Sequence, residues 1–298
     1  MEKVVVITRS FQSGTGEGGK PFNGEIFENG LVRPLRRLLK FDEVVQTIVV
    51  VINGESGNPL AEIPNSAGLT PTMIALQETF SKEIEEKRLL LVLDHKWGPN
   101  PGSATALNQG FREIAEKISF EWVLNWSPEI EMDGYRVAQG LAHAEKYNLS
   151  AVGFLRENWW ERPQWNVIQN TAALWKREIF NVNVVGGFSP ACNGTGRTIP
   201  VEGFGETPVA GMEDFHMMLS LLEYEHDEYN FEFRWGMVGR KAPLYWNTQF
   251  EPGSERERLH LRKIARQYAV MQIYAKDIFP EVSFHEVMNQ LFTRYYQG

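Results

Sequence analysis

Three groups of polar residues in this chain have the types and spacing of a chemical site. The first is the string PNPGSATALNQG, in which Asn100 and Gly102 are followed by Ala106, Asn108 and Gly110. It reads as N-x-G-x-x-x-A-x-N-x-G opening a helix. A helix N-terminus offers unpaired N–H groups and the positive end of its dipole to an anion. Gly102 lets the backbone come close, and Asn108, one turn beyond Ala104, needs partners for its amide. The same string equally describes an ordinary helix start with a tight turn and one buried Asn. The second group is WVLNWSPEIEM, Trp122 to Met132, where an apolar run ends in Asn125, Ser127 and Glu129. The third is Glu213-Asp214, ahead of an apolar stripe at Phe215, Met218, Leu219 and Leu222. With that stripe facing inward, Asp214 flanks the buried face and Glu213 points away. Acidic residues in a first helical turn also complement the dipole without any chemistry. His216 lies on the other flank, as a metal ligand or a surface histidine.

Alternating strands and helices must position these groups. Buried strands are read at Val4–Ile7, Thr47–Ile52, Leu89–Leu93 and Ala151–Leu155, with the Trp122 run between the last two. Helices are read at Phe27–Leu39, Met73–Glu86, Gly102–Lys117 and Gly134–Tyr147. This order specifies a Rossmann-like α/β fold, a mostly parallel doubly wound sheet flanked by helices. In such sheets ligands bind outside the carboxyl ends of the strands. The polar strand ends Thr8-Arg9-Ser10, Asn53-Gly54-Glu55, Asp94-His95 and Asn125 to Glu129 should therefore meet along one edge. From Asn158 the pattern breaks into an aromatic loop, NWWERPQWN, and later a glycine-rich one. Tyr229–Val238 alternates as a strand, Leu259–Ile278 is a long amphipathic helix, and Ser283–Tyr296 reads as a last helix. Arg256, Arg258, Arg262, Lys263 and Arg266 make the start of the long helix basic. Residues 1–250 read as one domain and 251–298 as a helical extension packed on it through Tyr268, Met271 and Ile278.

Composition narrows the function. With 30 basic and 38 acidic residues the net charge is −8, which argues against a nucleic-acid surface. No apolar run reaches the roughly 20 residues of a membrane span. The first residues lack the order of a secretion signal, and a single cysteine, Cys192, fits a reducing compartment. Together these predict a cytoplasmic protein in which the sequons at Asn125, Asn148 and Asn193 carry no meaning.

In the order of these elements, residues 1 to about 225 resemble the nucleotide-diphospho-sugar glycosyltransferases of the GT-A fold, especially the family 2 type. VVVITRS matches the opening strand and turn of that family, IVVVINGES its second strand, and Asn100 to Gly110 its N-x-G…A-x-N-x-G helix. Gly186-Gly187-Phe188 matches a later segment and GMEDFHMML the acidic pair that opens a helix. The departure is at Trp122 to Met132, where the Asp-x-Asp of the family is replaced by Asn125-x-Ser127 or Ser127-x-Glu129. The resemblance implies transfer of a sugar from a nucleotide-diphosphate donor to a hydroxyl acceptor, a sugar or a lipid-linked one. It also implies inversion at the anomeric carbon. Asp214, with Glu213 beside it, would be the general base. Thr8, Arg9, Ser10, Asn53, Glu55, Asn100, Gly102, Asn108 and Asn125 would hold the nucleotide sugar. Glu129 and Ser127 would hold Mg²⁺ or Mn²⁺, unless Glu129 is an ordinary solvated residue and the metal site is lost.

Arg9, Lys20, Lys96 and Arg156 are further candidates for the diphosphate. The tryptophans of NWWERPQW could floor an acceptor sugar or serve packing, and Phe233 to Trp235 reads as packing. Two other functions remain: a sugar nucleotidyltransferase, whose Gly-rich loop SGTGEGGKPF partly imitates, and a catalytically degenerate nucleotide-binding member of the fold. The basic helix leaves peripheral membrane contact open, although its stripe suits docking on the sheet domain.

Overall fold

The computed structural model describes residues 3–10, 24–55, 61–96, 104–155, 167–168, 172–181, 196–226, 232–239, 244 and 252–297. In chain order the first half runs β1 (Val4–Ser10), α1 (Gly24–Phe27), a π turn over Glu28–Val32, α2 (Arg33–Leu39), β2 (Val45–Asn53), α3 (Pro71–Thr79), α4 (Ser81–Glu85), β3 (Leu89–Asp94), α5 (Ala104–Ala115), β4 (Trp122–Trp126) and α6 (Gly134–Tyr147). The second half runs β5 (Ala151–Phe154), β6 (Ala172–Lys176), α7 (Glu178–Asn181), β7 (Thr198–Val201), β8 (Gly205–Pro208), α8 (Glu213–His226), β9 (Trp235–Val238), α9 (Glu255–Ile278), α10 (Phe284–Thr293) and β10 (Tyr295–Gln297).

Eight strands form one sheet in the order β10-β9-β5-β6-β4-β1-β2-β3. Only β6 runs against its neighbours, pairing antiparallel with β4 and β5. The fold is therefore a mostly parallel α/β sheet, as the alternation of elements requires. β7 and β8 form a separate hairpin. The β-branched runs of β1 and β2 are buried throughout because helices cover both faces of the sheet. Alternate residues feed two cores: Val5, Ile7, Val49, Val51, Val92 and Val123 pack on one side, Val4, Val6, Ile48, Val50 and Leu124 on the other.

Local chemistry sets the helix ends. Asp133 caps α6 by accepting from the Arg136 N–H at 2.9 Å, and Asn148 ends it in the left-handed region. Thr70 caps α3 with Pro71 in its first turn, and Ser283 and Glu286 form a reciprocal capping box on α10.

Three expectations need correction. The helix read at Met73–Glu86 is two helices, broken at Phe80, whose buried ring belongs to the core between them. The helix read at Ser283–Tyr296 stops at Thr293; the aromatic, β-favouring Tyr295 and Tyr296 instead form β10 beside β9. The long helix packs against α8 through Val270, Met271, Tyr274 and Ala275, of which only Met271 belongs to the stripe read from the sequence. Tyr268 is 44% exposed, lying edge-on to Phe284, and Ile278 is only partly buried. Phe233 and Trp235 are packing residues: both are fully buried, and the Trp235 indole donates to the Leu291 carbonyl at 2.9 Å.

Candidate active site at the switch point of the sheet

The chain runs from β1 to β2 and β3 on one side, then returns to place β4 on the other side of β1. The order of strands thus reverses between β1 and β4, where open α/β sheets form a crevice at the carboxyl ends. Register decides which side chains reach it. Arg9 pairs with Val51, Asn53 with Asp94, and Asn125 with Ile7. Side chains alternate along a strand, so Arg9, Asn53, Asp94 and Asn125 share the face of Val5, Ile7, Val51 and Val123. That is also the face covered by α8. Thr8 and Ser10 fall on the opposite face, with Val4 and Val6.

Trp126 also faces away, and this explains the odd end of β4. Its indole is buried on the far side and donates to the Ile130 carbonyl at 2.9 Å, while the Ile130 N–H donates to the Ser127 carbonyl at 2.9 Å. The two bonds fold Ser127–Ile130 into a turn that holds Ser127 and Glu129 half-buried at the sheet edge.

The charges of the site are coupled. Burial pushes the Arg9 pKa below its ordinary value, and the charges of Glu213, Asp214 and Glu129, in that order, push it back up. Asp214 is 3% exposed. Burial first, and Glu213 second, raise its carboxyl to about 8, while Arg9 pulls it down. One cation thus faces carboxylates from β4's turn and from the first turn of α8. The expectation that Glu213 points away from the site is corrected: it is half-buried and acts on both Arg9 and Asp214. His216 is not a surface histidine either. It lies edge-on to Tyr274 with centroids 5.0 Å apart, and burial lowers its pKa.

Unsatisfied polar atoms gather at the same edge. Among the described residues, Asn53 Nδ2, Asp94 Oδ2, both amide atoms of Asn125 and Asp214 Oδ2, and on the opposite face Thr8 Oγ1, are buried with no hydrogen-bond partner. A buried orphan of this kind costs ~1–3 kcal/mol, so a cluster of them at the strand ends is a surface suited to a polar ligand. The β2 end is otherwise well ordered. Asn53 Oδ1 accepts from the Glu55 N–H at 3.1 Å, Asp94 Oδ1 from the Lys96 N–H at 2.9 Å, and the Glu62 N–H donates to the Asn53 carbonyl at 2.8 Å. Glu62, buried, accepts from both the N–H and the hydroxyl of Thr72 and so ties this loop to α3. Sequence reading noted Asp94 only as a strand end and gave Glu62 no part; the pairing of Asn53 with Asp94 is the signal that would have joined Asp94 to the site.

The sequence motif around α5 divides. Asn100 and Gly102 lie outside the described residues, as do Lys20, Arg156, the NWWERPQW tryptophans and Gly186–Phe188. Asn108 is half-buried on α5. Gly110 has a packing reason: a Cβ there would lie 2.8 Å from Ile7 Cγ2 and 2.9 Å from Val51 Cγ2. Its absence lets α5 press on β1 and β2 directly beneath Arg9.

A divalent cation can be tested against the donors present. Glu129 supplies one carboxylate and Ser127 one hydroxyl. Among the described residues no group of three or more His, Cys, Asp or Glu is arranged for a metal. Mg²⁺ commonly takes one or two carboxylates and completes its shell with phosphate and water, so this pair fits an ion that a bound diphosphate completes.

No family model matches the chain, and no curated protein matches it. Solved structures do. S. aureus TarS 1–349 in complex with UDP-GlcNAc superposes with a TM-score of 0.52 over 97% of this chain and 70% of that one, at 14% identity. The fold is GT-A. The same TarS fragment without that ligand gives 0.49 at 13% identity, over 98% of this chain and 71% of that one. Glucosyl-3-phosphoglycerate synthase from Mycobacterium tuberculosis, with Mn²⁺, UDP-glucose and phosphoglyceric acid, gives 0.45 at 10% identity, over 92% and 79%. At 14% identity the first of these likenesses shows the fold alone and leaves the chemistry to the residues. Among the described residues, no helix is long and apolar enough to cross a membrane.

Proposed function

We propose that this protein is a glycosyltransferase that moves a sugar from a nucleotide-diphosphate donor to the hydroxyl of a sugar or lipid-linked acceptor, with inversion. The observation that carries this reading is the placement of Arg9 against Glu129, Glu213 and Asp214 at the switch point of a GT-A sheet. The nucleotide-sugar complex of the TarS neighbour supports it.

Asp214 is the general base. Its carboxylate takes the proton of the acceptor hydroxyl as that oxygen attacks the anomeric carbon. The bond from that carbon to the donor diphosphate breaks, and the electron pair leaves with the diphosphate. A single displacement from the far side inverts the centre. A base works best when its pKa is near the working pH, and burial places Asp214 near 8. Arg9 offers a fixed positive charge to the leaving diphosphate. Asn53, Asp94 and Asn125 hold the polar edge of the nucleotide sugar and in doing so satisfy their own orphaned atoms. Glu129 and Ser127 would hold Mg²⁺ or Mn²⁺, which would stabilise the leaving charge.

Incubating the chain with UDP- and GDP-sugars, a panel of hydroxyl acceptors and Mn²⁺ tests the reading. Release of nucleoside diphosphate with formation of a glycoside is expected, lost in Asp214→Asn while donor binding persists. Pyrophosphate release from a sugar 1-phosphate and a nucleoside triphosphate would point to a nucleotidyltransferase. Binding of nucleotide with no transfer to any acceptor would point to a degenerate member. Glu129→Ala separates the metal question: transfer that keeps its dependence on Mn²⁺ in this variant would show that the ion is held elsewhere.

A further inference from the structure

One cationic feature beside the site has no part in donor binding. Arg266 of α9 lies against the loop that leads into α8. Its Nη1 donates to the Pro208 carbonyl at 3.1 Å, and its Nη2 would lie 3.9 Å from a Cβ placed on Gly211. The Tyr274 hydroxyl donates to the Gly211 carbonyl at 3.0 Å, so α9 grips this loop at two points. Two residues further on is Glu213, whose charge is felt by Arg266 as it is by Arg9. Arg266 Nε is nevertheless buried without a hydrogen-bond partner.

Arg262 stands one helical turn before Arg266, on the same side of α9. Its charge reaches Arg266 and, after burial, is the main influence lowering the Arg266 pKa. Like charges four residues apart on a helix repel. No ion pair to Arg262 or Arg266 is seen among the described residues. Asp277, further along α9, is paired with Arg197. Glu213 is shared with Arg9. Two arginines thus sit one turn apart on α9 with no ion pair to either among the described residues, on a chain whose net charge is −8. Arg266 lies against the loop that opens α8, at Gly211, two residues before Glu213.

We infer that Arg262 and Arg266 form an acceptor subsite for a phosphate ester, so that the hydroxyl presented to Asp214 belongs to a phosphorylated acceptor. This rests on the glycosyltransferase reading for its purpose. The planar, forked donors of arginine match a phosphate better than a point charge does. A phosphomonoester, near −2 at neutral pH, balances two guanidinium charges, as a carboxylate would not. The phosphate ester can come from a soluble acceptor or from a lipid headgroup.

The test uses the full chain with UDP or GDP already added, so that the donor's diphosphate position is filled. Glycerol 3-phosphate is titrated by ³¹P line broadening and calorimetry, glycerol by calorimetry alone, and phosphatidylcholine vesicles containing phosphatidylinositol 4-phosphate, whose headgroup carries a phosphomonoester, by co-sedimentation. Wild type is compared with Arg262→Gln and with Arg258→Gln, an exposed arginine on the same helix. Glycerol 3-phosphate or the vesicles should bind, and which of the two does so identifies the source. Glycerol should not bind. Binding should weaken about ten-fold or more in Arg262→Gln, the scale of one charge-assisted hydrogen bond, and stay unchanged in Arg258→Gln. No binding of either phosphate probe, or equal binding in both variants, overturns the subsite. If neither nucleotide binds the wild type, the glycosyltransferase reading fails instead, and the phosphate titration still reports on the arginines.

Discussion

Asp214 and Arg9 set each other's protonation, and this has two measurable consequences at the scale of residues. In the proposed mechanism Asp214 must be ionised to act, and burial raises its pKa to about 8. kcat/KM for transfer should therefore rise with pH through about 8 and then level off. Arg9 lowers the Asp214 pKa, so Arg9→Gln should move that rise to higher pH, besides weakening donor binding. A profile flat between pH 6 and about 9 would remove Asp214 from the role of base. The second consequence concerns stability. The ordinary value of this carboxyl is 3.8 and its folded value about 8. Between those limits the unfolded chain has released a proton that the folded chain keeps. Stability is then fully present below pH ~4, falls as pH rises toward 8, and stays low above it. Asp214→Asn keeps the shape and removes the charge. It should abolish transfer yet unfold at a higher temperature than wild type, by an advantage that grows from pH 5 to pH 8. The gain should be on the order of 1 kcal/mol or more, roughly 2–4 °C for a chain of this size. Equal melting at all pH values would mean that the carboxyl is not buried as described.

At the scale of elements, what matters is how closely α5 sits on the sheet. Gly110→Ala would place a methyl group within 3 Å of Ile7 and Val51. Both are fully buried β-branched side chains that cannot turn away. The helix must lift, at a cost of about 1–3 kcal/mol, readable as a lower urea midpoint with unchanged m. The same scale shows why some elements were legible in the sequence and others were not. β1, β2 and α6 announce themselves through unbroken apolar runs, a clear apolar stripe and strong caps. The Met73–Glu86 pattern concealed a break because Phe80 continues the apolar periodicity while leaving helical geometry. Tyr295 and Tyr296 continued a helical reading because nothing local marks a strand of three residues. Only the open edge of β9, formed from residues some 60 positions earlier, makes them one.

At the scale of the whole molecule, the site is assembled from residues far apart in sequence. The rule of strand carboxyl ends led directly to Arg9, Asn53 and Asn125, and the acidic pair before an apolar stripe led to Asp214. The proposed parts of Asp94 and Arg266 depend on strand register and helix docking that one-dimensional spacing does not contain. Among the described residues, polar atoms of Asn53, Asp94, Asn125 and Asp214 lack partners, so a ligand that supplies them should stabilise the entire fold. A correct nucleotide sugar at 100 times its Kd should add about 2.7 kcal/mol, seen as a melting rise of several degrees. A mismatched base or a bare sugar should add far less. A panel of nucleotides read by thermal shift would therefore rank the donor without any acceptor in hand.

The pairing of β1 with β2 contains one irregularity, at the end remote from the site. Val4 faces Val45 but Val5 already faces Thr47, so Gln46 is passed over. From Val5 onward the ladder runs without interruption to Ser10 opposite Ile52. Gln46 thus acts as a slack link in the chain, absorbing length differences before they reach the working end. Its deletion should leave donor binding intact, because pairing on both sides of it is already in step. Deleting one residue within Ile48–Ile52 should instead turn every later side chain to the opposite face, carrying Asn53 away from Asp94 and abolishing binding. Natural insertions and deletions in relatives of this protein should accordingly collect at Gln46 and be missing from the rest of β2.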